Sequence, residues 1–135
     1  MGLKRFLMRE EGAVAIEFVL IAPLLLTLLF GTIVVGYYMG LSHSVHQLAA
    51  SAARASVPGL DAEERRDLAE AYLSNAGQHY PLLVPSAVTP TVTMEDAPGM
   101  TVQVVYALDG GILDIANGFL KLGIEDIRGQ AYVAY

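Results

Sequence analysis

The sequence has no cysteine. This excludes disulfides, thiolate metal sites and cysteine nucleophiles together, so any exported domain must hold by its own packing or by packing against neighbours. Basic residues are scarce: 8 Lys and Arg stand against 14 Asp and Glu, a formal net charge of −6. Without a basic patch to neutralise phosphates, nucleic acid is not an expected partner. The signatures of catalysis are missing as well. The sequence holds no glycine-rich phosphate loop, no HExxH and no G-x-S-x-G elbow. His43 and His46 are three apart, as metal ligands on one helix face can be, but no third ligand stands near them. Solvated or headgroup-level histidines are the simpler reading. Asp109 and Asp114 flank a glycine turn without the ligand density of a calcium loop. The expectation is a protein that is not an enzyme, with no cofactor, no metal and no small-molecule substrate.

The longest absence is of charge. From Phe18 to Leu41 no side chain is charged, and only Thr27 and Thr32 interrupt the apolar run. A helix needs about 20 apolar residues to cross the hydrocarbon core, so this run suffices. No second run does: Ile112–Leu122 is shorter and is broken by Asp114, Asn117 and Lys121. The chain reads as one span plus one small domain. Lys4, Arg5 and Arg9 precede the span, and the next cation after it is Arg54. By the positive-inside rule the N-terminus stays cytoplasmic and the acidic remainder is exported.

Taken in order, residues 1–12 form a short charged leader, which on composition alone is also an ordinary cytoplasmic tail. A secretory signal peptide fits poorly, because its apolar region is shorter, although Ala49–Ala53 offers small residues downstream. The pattern predicts one long helix from Ala13 to Ser56, with Leu41, Val45, Leu48, Ala49, Ala52 and Ala53 on one face. Tyr37 and Tyr38 fall where aromatic rings favour the membrane–water boundary, and Gly36 and Gly40 form a small-xxx-small pair. Pro58-Gly59 ends the helix. A second, amphipathic helix is predicted over 61–76, capped by Asp61 and Glu64 and closed by Gly77, with Asp61/Arg65 and Arg66/Glu70 spaced as ion pairs.

Beyond an irregular stretch, Val88, Pro90, Val92 and Met94 alternate with threonines, a strand that Pro90 confines to an edge or a bulge. A turn over 95–99 leads to a partner strand whose inward face is Met100, Val102, Val104 and Tyr106. Ile112, Ile115, Ala116, Phe119 and Leu120 recur at helical spacing, a short helix expected to cover the sheet. Ile127–Tyr135 alternates again, with Ile127, Ala131, Val133 and Tyr135 on one side. The fold class is α+β: a long N-terminal transmembrane helix, a second amphipathic helix and a small antiparallel sheet. The expected divisions are 1–12, 13–57 including the span 18–41, and an exported domain over 58–135.

Two features of the span need a reason. A carboxylate near the centre of a span costs about 2.5–3.5 kcal/mol on insertion scales, and less near an end. Glu17, at the entrance, is either an interfacial solvated group or a group with a partner. Pro23 interrupts the helix ladder inside the first third of the run. The stretch Gly12-Ala-Val-Ala-Ile-Glu17-Phe18 resembles the processing site of type IV prepilins of the Tad/Flp class. The longer string from Glu11 through Pro23 to Leu26 resembles the TadE-like pseudopilins, or minor pilins, of that system. Ala13 stands where type IVa prepilins usually carry Phe, which favours the Tad branch over the type II secretion branch.

The resemblance implies a prepilin peptidase of the inner membrane that cuts after Gly12, leaving Ala13 as the N-terminus with Glu17 fifth and Phe18 sixth. It implies other pilin subunits and the Tad assembly platform as partners, in pilus assembly, surface adhesion or secretion. It also implies a bacterial inner-membrane, single-pass location with the C-terminal domain periplasmic, and the extracellular pilus as a destination. Pro23, Gly36 and Gly40 become helix-packing residues. Two alternatives stay open: an unprocessed single-span protein whose exported domain binds another envelope component, and an anchored subunit of a secretion apparatus that never enters a fibre.

Overall fold

The computed structural model describes residues 10–95 and 98–135. Most of the expected leader, residues 1–9, and Asp96 and Ala97 of the expected turn lie outside the described residues. The elements are helix α1 (Glu10–Ala55), α2 (Ala62–Ser74), the single turn α3 (Ala76–His79), a 3₁₀ turn at Pro85–Ala87, strands β1 (Val88–Met94) and β2 (Gly99–Tyr106), helix α4 (Ile112–Leu120) and strand β3 (Ile127–Ala134). One compact unit ends at Gly36, and the second is Tyr37–Tyr135. The fold is α+β.

In the first unit, α1 is long and apolar enough to cross a membrane. Its large side chains are exposed in the isolated chain: Val14, Phe18, Leu20, Leu24, Leu28 and Phe30 all face outward. Such a surface is stable only against lipid or other helices. The helix begins at Glu10, three residues before the predicted start, so Gly12 lies inside its first turn.

The second unit holds the core. The end of α1 buries Leu41, Val45, Leu48, Ala49, Ala52 and Ala53, the stripe read from the sequence. The sheet is antiparallel in the order β1-β2-β3, so β1 is an edge strand and Pro90 has no ladder partner to disappoint on its outer side. The central strand buries Met100, Val102, Val104 and Tyr106. Burying each large apolar side chain of this kind stabilises by about 1.5–3 kcal/mol. Register places Val88, Tyr106 and Ile127 across one end of the sheet and Met94, Met100 and Val133 across the other. Gly129 of β3 presses on α1, where a Cβ would meet the Val45 carbonyl oxygen at 2.8 Å.

Four local expectations are revised. Gly77 does not close α2. Asn75 is the C-cap, and Gly77 lies within α3 because Pro85 Cγ would stand 2.6 Å from a Cβ there. The cap at Asp61 is present, its carboxylate accepting from the Glu64 amide at 2.8 Å, but Glu64 Oε2 accepts from the amide of Leu60 rather than that of Asp61. Arg66 and Glu70 pair at 3.4 Å. Arg65 turns away from Asp61: its Nε donates to the Gly59 carbonyl at 2.8 Å and its guanidinium lies 3.6 Å over the Tyr135 ring. Finally, α4 presents Ile112, Ile115 and Phe119 to the outside and buries Leu113 instead. Asn117 fixes that orientation, since its side chain bonds both the amide and the carbonyl of Ile124 at 3.1 Å.

Candidate functional site

The residues singled out around the head of the span share one helix. Gly12 is the third residue of α1, and Ala13, Glu17 and Phe18 follow without a break. Glycine in a helix interior costs about 0.5–1 kcal/mol relative to alanine, and terminal turns fray first. Phe18 is 68% exposed and Glu17 is exposed beside it, so carboxylate and ring are both presented to whatever surrounds the helix. Four residues along a helix advance about 6 Å, so the backbone nitrogen of Ala13 and the Glu17 side chain lie within one turn.

Pro23 is exposed within the helix and has no N–H for the carbonyl one turn earlier. The polar side chains of the span bond inward to their own helix. Thr27 Oγ1 donates to the Pro23 carbonyl and Thr32 Oγ1 to the Leu28 carbonyl, both at 2.8 Å. In lipid an unsatisfied hydroxyl is expensive, and this back-bonding removes the cost. Between them, Thr27, Leu28, Gly31, Thr32 and Val35 line a shallow groove of about 490 Å³. Gly31 escaped the sequence reading; its spacing of four from Thr27 and Val35 was the available signal.

The two glycines of the expected packing pair have different surroundings. A Cβ on Gly36 would meet nothing within 4 Å, whereas one on Gly40 would touch Leu82 Cδ1 at 3.4 Å. Gly36 is open to another helix; Gly40 is already faced by its own chain. His43 and His46 are exposed, and His46 Nδ1 donates to the Ser42 carbonyl at 2.8 Å. Among the described residues no three His, Asp or Glu converge as metal ligands. A groove of about 370 Å³ separates α2 from β1, lined by Glu70, Leu73, Pro85, Val88 and Pro90 among others. Its polar side chains are Glu70 and Ser74, and the Ser74 hydroxyl donates to the Ala71 carbonyl at 2.8 Å.

At the far end of α1 the structure assembles a cluster that the sequence did not reveal. Ser56 is fully buried, its hydroxyl 3.0 Å from the Tyr135 hydroxyl and 2.7 Å from the Ala53 carbonyl. Nearby, the Tyr80 hydroxyl donates to Ser51 Oγ at 3.3 Å, and partial burial raises the Tyr80 phenol above its ordinary pKa. These contacts seat the C-terminus and Tyr80 on the end of α1 within the second unit.

Residues 12–54 match the family model of TadE-like proteins. The match opens on Gly12 and runs almost to the end of α1, and it names the family that the residues around Glu17 resemble. Residues 55–135 lie outside it. No curated protein and no solved structure matches the chain.

Proposed function

We propose that this chain, whose first helix matches the TadE-like family, is a minor pilin of a Tad/Flp pilus that a prepilin peptidase cuts between Gly12 and Ala13. The observation that carries this reading is where the match begins: on Gly12, with Glu17 the one charged side chain between Gly12 and Arg54 on an apolar helix. The match over residues 12–54 supports a link to a pilus system, and the N-terminal apolar helix suits a single-pass membrane protein.

Cleavage would remove Lys4, Arg5 and Arg9 and leave a protonated amine on Ala13. Glu17, fifth from the new N-terminus, would then lie about one turn into the shortened helix, within reach of that amine. In the fibre, the amine of one subunit faces Glu17 of its own or an adjacent subunit. Two charges in an apolar setting attract strongly, and only pairing offsets the desolvation of each. The pair sets register as the helix leaves lipid for the company of other helices. Phe18 and the leucines exchange lipid contact for helix contact at little cost, and Pro23 loosens the ladder where the helix must adapt. In the membrane before assembly, the N-terminus is cytoplasmic and the domain periplasmic.

Gly12→Leu tests the reading in cells. The expected result is a full-length chain that stays in the inner membrane and is missing from sheared pili. A Gly12→Leu chain of unchanged mass that supports normal piliation would overturn it and favour an unprocessed single-span protein.

A further inference from the structure

The exported domain has a near end and a far end relative to the membrane, and both are fixed within the second unit. Tyr37 and Tyr38 mark the end of the apolar run on α1. From there β3 crosses α1 and advances in the same direction: Gly129 meets Val45, and Tyr135 reaches Ser56. The sheet end at Val88, Tyr106 and Ile127 is therefore the near one. Helix α4 belongs to that end, since Ile112 and Leu113 line a groove of about 220 Å³ together with Tyr37 and Leu41.

This near end is apolar and uncovered. Phe119 is 87% exposed, Ile115 71% and Ile112 59%, and Leu120 is also exposed. Leu82, which touches the Gly40 position, and Val84 extend the surface. The helical repeat puts Ile112, Ile115 and Phe119 on one stripe and Asp114 and Lys121 on the other side of the helix. Asp114 is further engaged with the Gly110 amide at 3.0 Å. At the far end, Val57 and Leu60 flank the Pro58-Gly59 break and form no such stripe.

We propose that α4 rests in the headgroup layer of the bilayer that α1 crosses, holding the exported domain down on the membrane until the subunit is withdrawn. A short helix with one uncharged apolar stripe suits the interface plane, where its apolar face reaches about 5–10 Å inward. Lipid is favoured over a protein groove because the stripe lies beside Tyr37, close to where the apolar run of α1 ends. The inference rests on the single-span reading, and the test separates the two.

The sequence has no tryptophan, so one substitution installs the only indole. The full chain is reconstituted in phosphatidylcholine vesicles whose acyl chains carry bromine near the headgroup or deep in the core. Three variants are compared: Phe119→Trp on α4, Thr91→Trp on the outer face of the sheet, and Phe30→Trp in the span. Phe119→Trp is expected to emit to the blue of Thr91→Trp and to lose intensity with shallow bromine, while Thr91→Trp loses none and Phe30→Trp is quenched by deep bromine. An unquenched Phe119→Trp beside a quenched Phe30→Trp overturns the docking and leaves the span standing. A blue shift of Phe119→Trp that grows with protein density and ignores bromine assigns the face to a second copy, which also overturns it. Loss of quenching in Phe30→Trp removes the single-span reading, and the docking with it.

Discussion

Gly129 lies against the backbone of Val45 so closely that a Cβ there would stand 2.8 Å from the Val45 carbonyl oxygen and 3.0 Å from His46 Cα. Both obstacles are helix backbone, which cannot rotate aside. The third strand can thus cross α1 only with glycine at this register, and the contact joins the sheet to the end of α1.

Gly129→Ala is therefore expected to destabilise the second unit by about 1–3 kcal/mol, the usual cost of overpacking. Gly118→Ala is the control. It sits in α4 with nothing within 4 Å of an added Cβ, and removing a helix glycine there should stabilise by about 0.5–1 kcal/mol. Thermal unfolding of the detergent-solubilised chain, followed by near-ultraviolet circular dichroism, should move the two midpoints in opposite directions. Equal midpoints would show that β3 can shift off the helix without loss.

The far end of the domain is closed by Arg65, Tyr135 and Ser56. Tyr135→Phe keeps the ring beneath the guanidinium but removes the hydroxyl that meets Ser56, at a cost of about 0.5–1.5 kcal/mol. Arg65→Met removes both the cation over the ring and the bond to Gly59, and should cost at least as much. Measured together, the two substitutions should be nearly additive, because each removes a different contact. Strong coupling would mean that one hydrogen-bonded unit holds the C-terminus.

Asp61→Ala should cost about 1 kcal/mol through loss of the α2 cap. By contrast, Glu70→Ala breaks an ion pair whose two side chains are more than half exposed, and should change stability by less than about 0.5 kcal/mol. Denaturant midpoints distinguish the two by the size of the loss. A larger loss at Glu70 than at Asp61 would reverse this ranking.

Glu17→Gln tests the pairing proposed for the head of the helix. The side chain keeps its size and loses its charge, so cleavage after Gly12 should proceed while incorporation into sheared fibres falls. Normal assembly and retention of the Glu17→Gln chain would sink the pairing and leave Glu17 as an interfacial carboxylate.

Much of this arrangement could be read in the residues, and the failures share a cause. The inward face of β2 and the stripe on α1 were legible because alternation and helical spacing report which side is apolar, and in both cases that side meets the core. Helix α4 shows the same kind of pattern, yet its apolar side faces out. Periodicity identifies a stripe and says nothing about what covers it. Arg65 and Gly77 were misassigned for a related reason: spacing within one helix pointed to Asp61 and to a C-cap, while the partners that prevailed, Tyr135 and Pro85, are distant in sequence. Gly129 and Ser56 carried no local signal at all. The residues around Glu17 were read by resemblance alone, and the family match covers that stretch.

The most direct measurement is the intact mass of the protein from its native membrane, with and without the prepilin peptidase. A processed minor pilin should lose Met1–Gly12 only when the peptidase is present, and begin at Ala13. The same full-length mass in both membranes would contradict the proposal and return the chain to a single-span anchor with an exported domain.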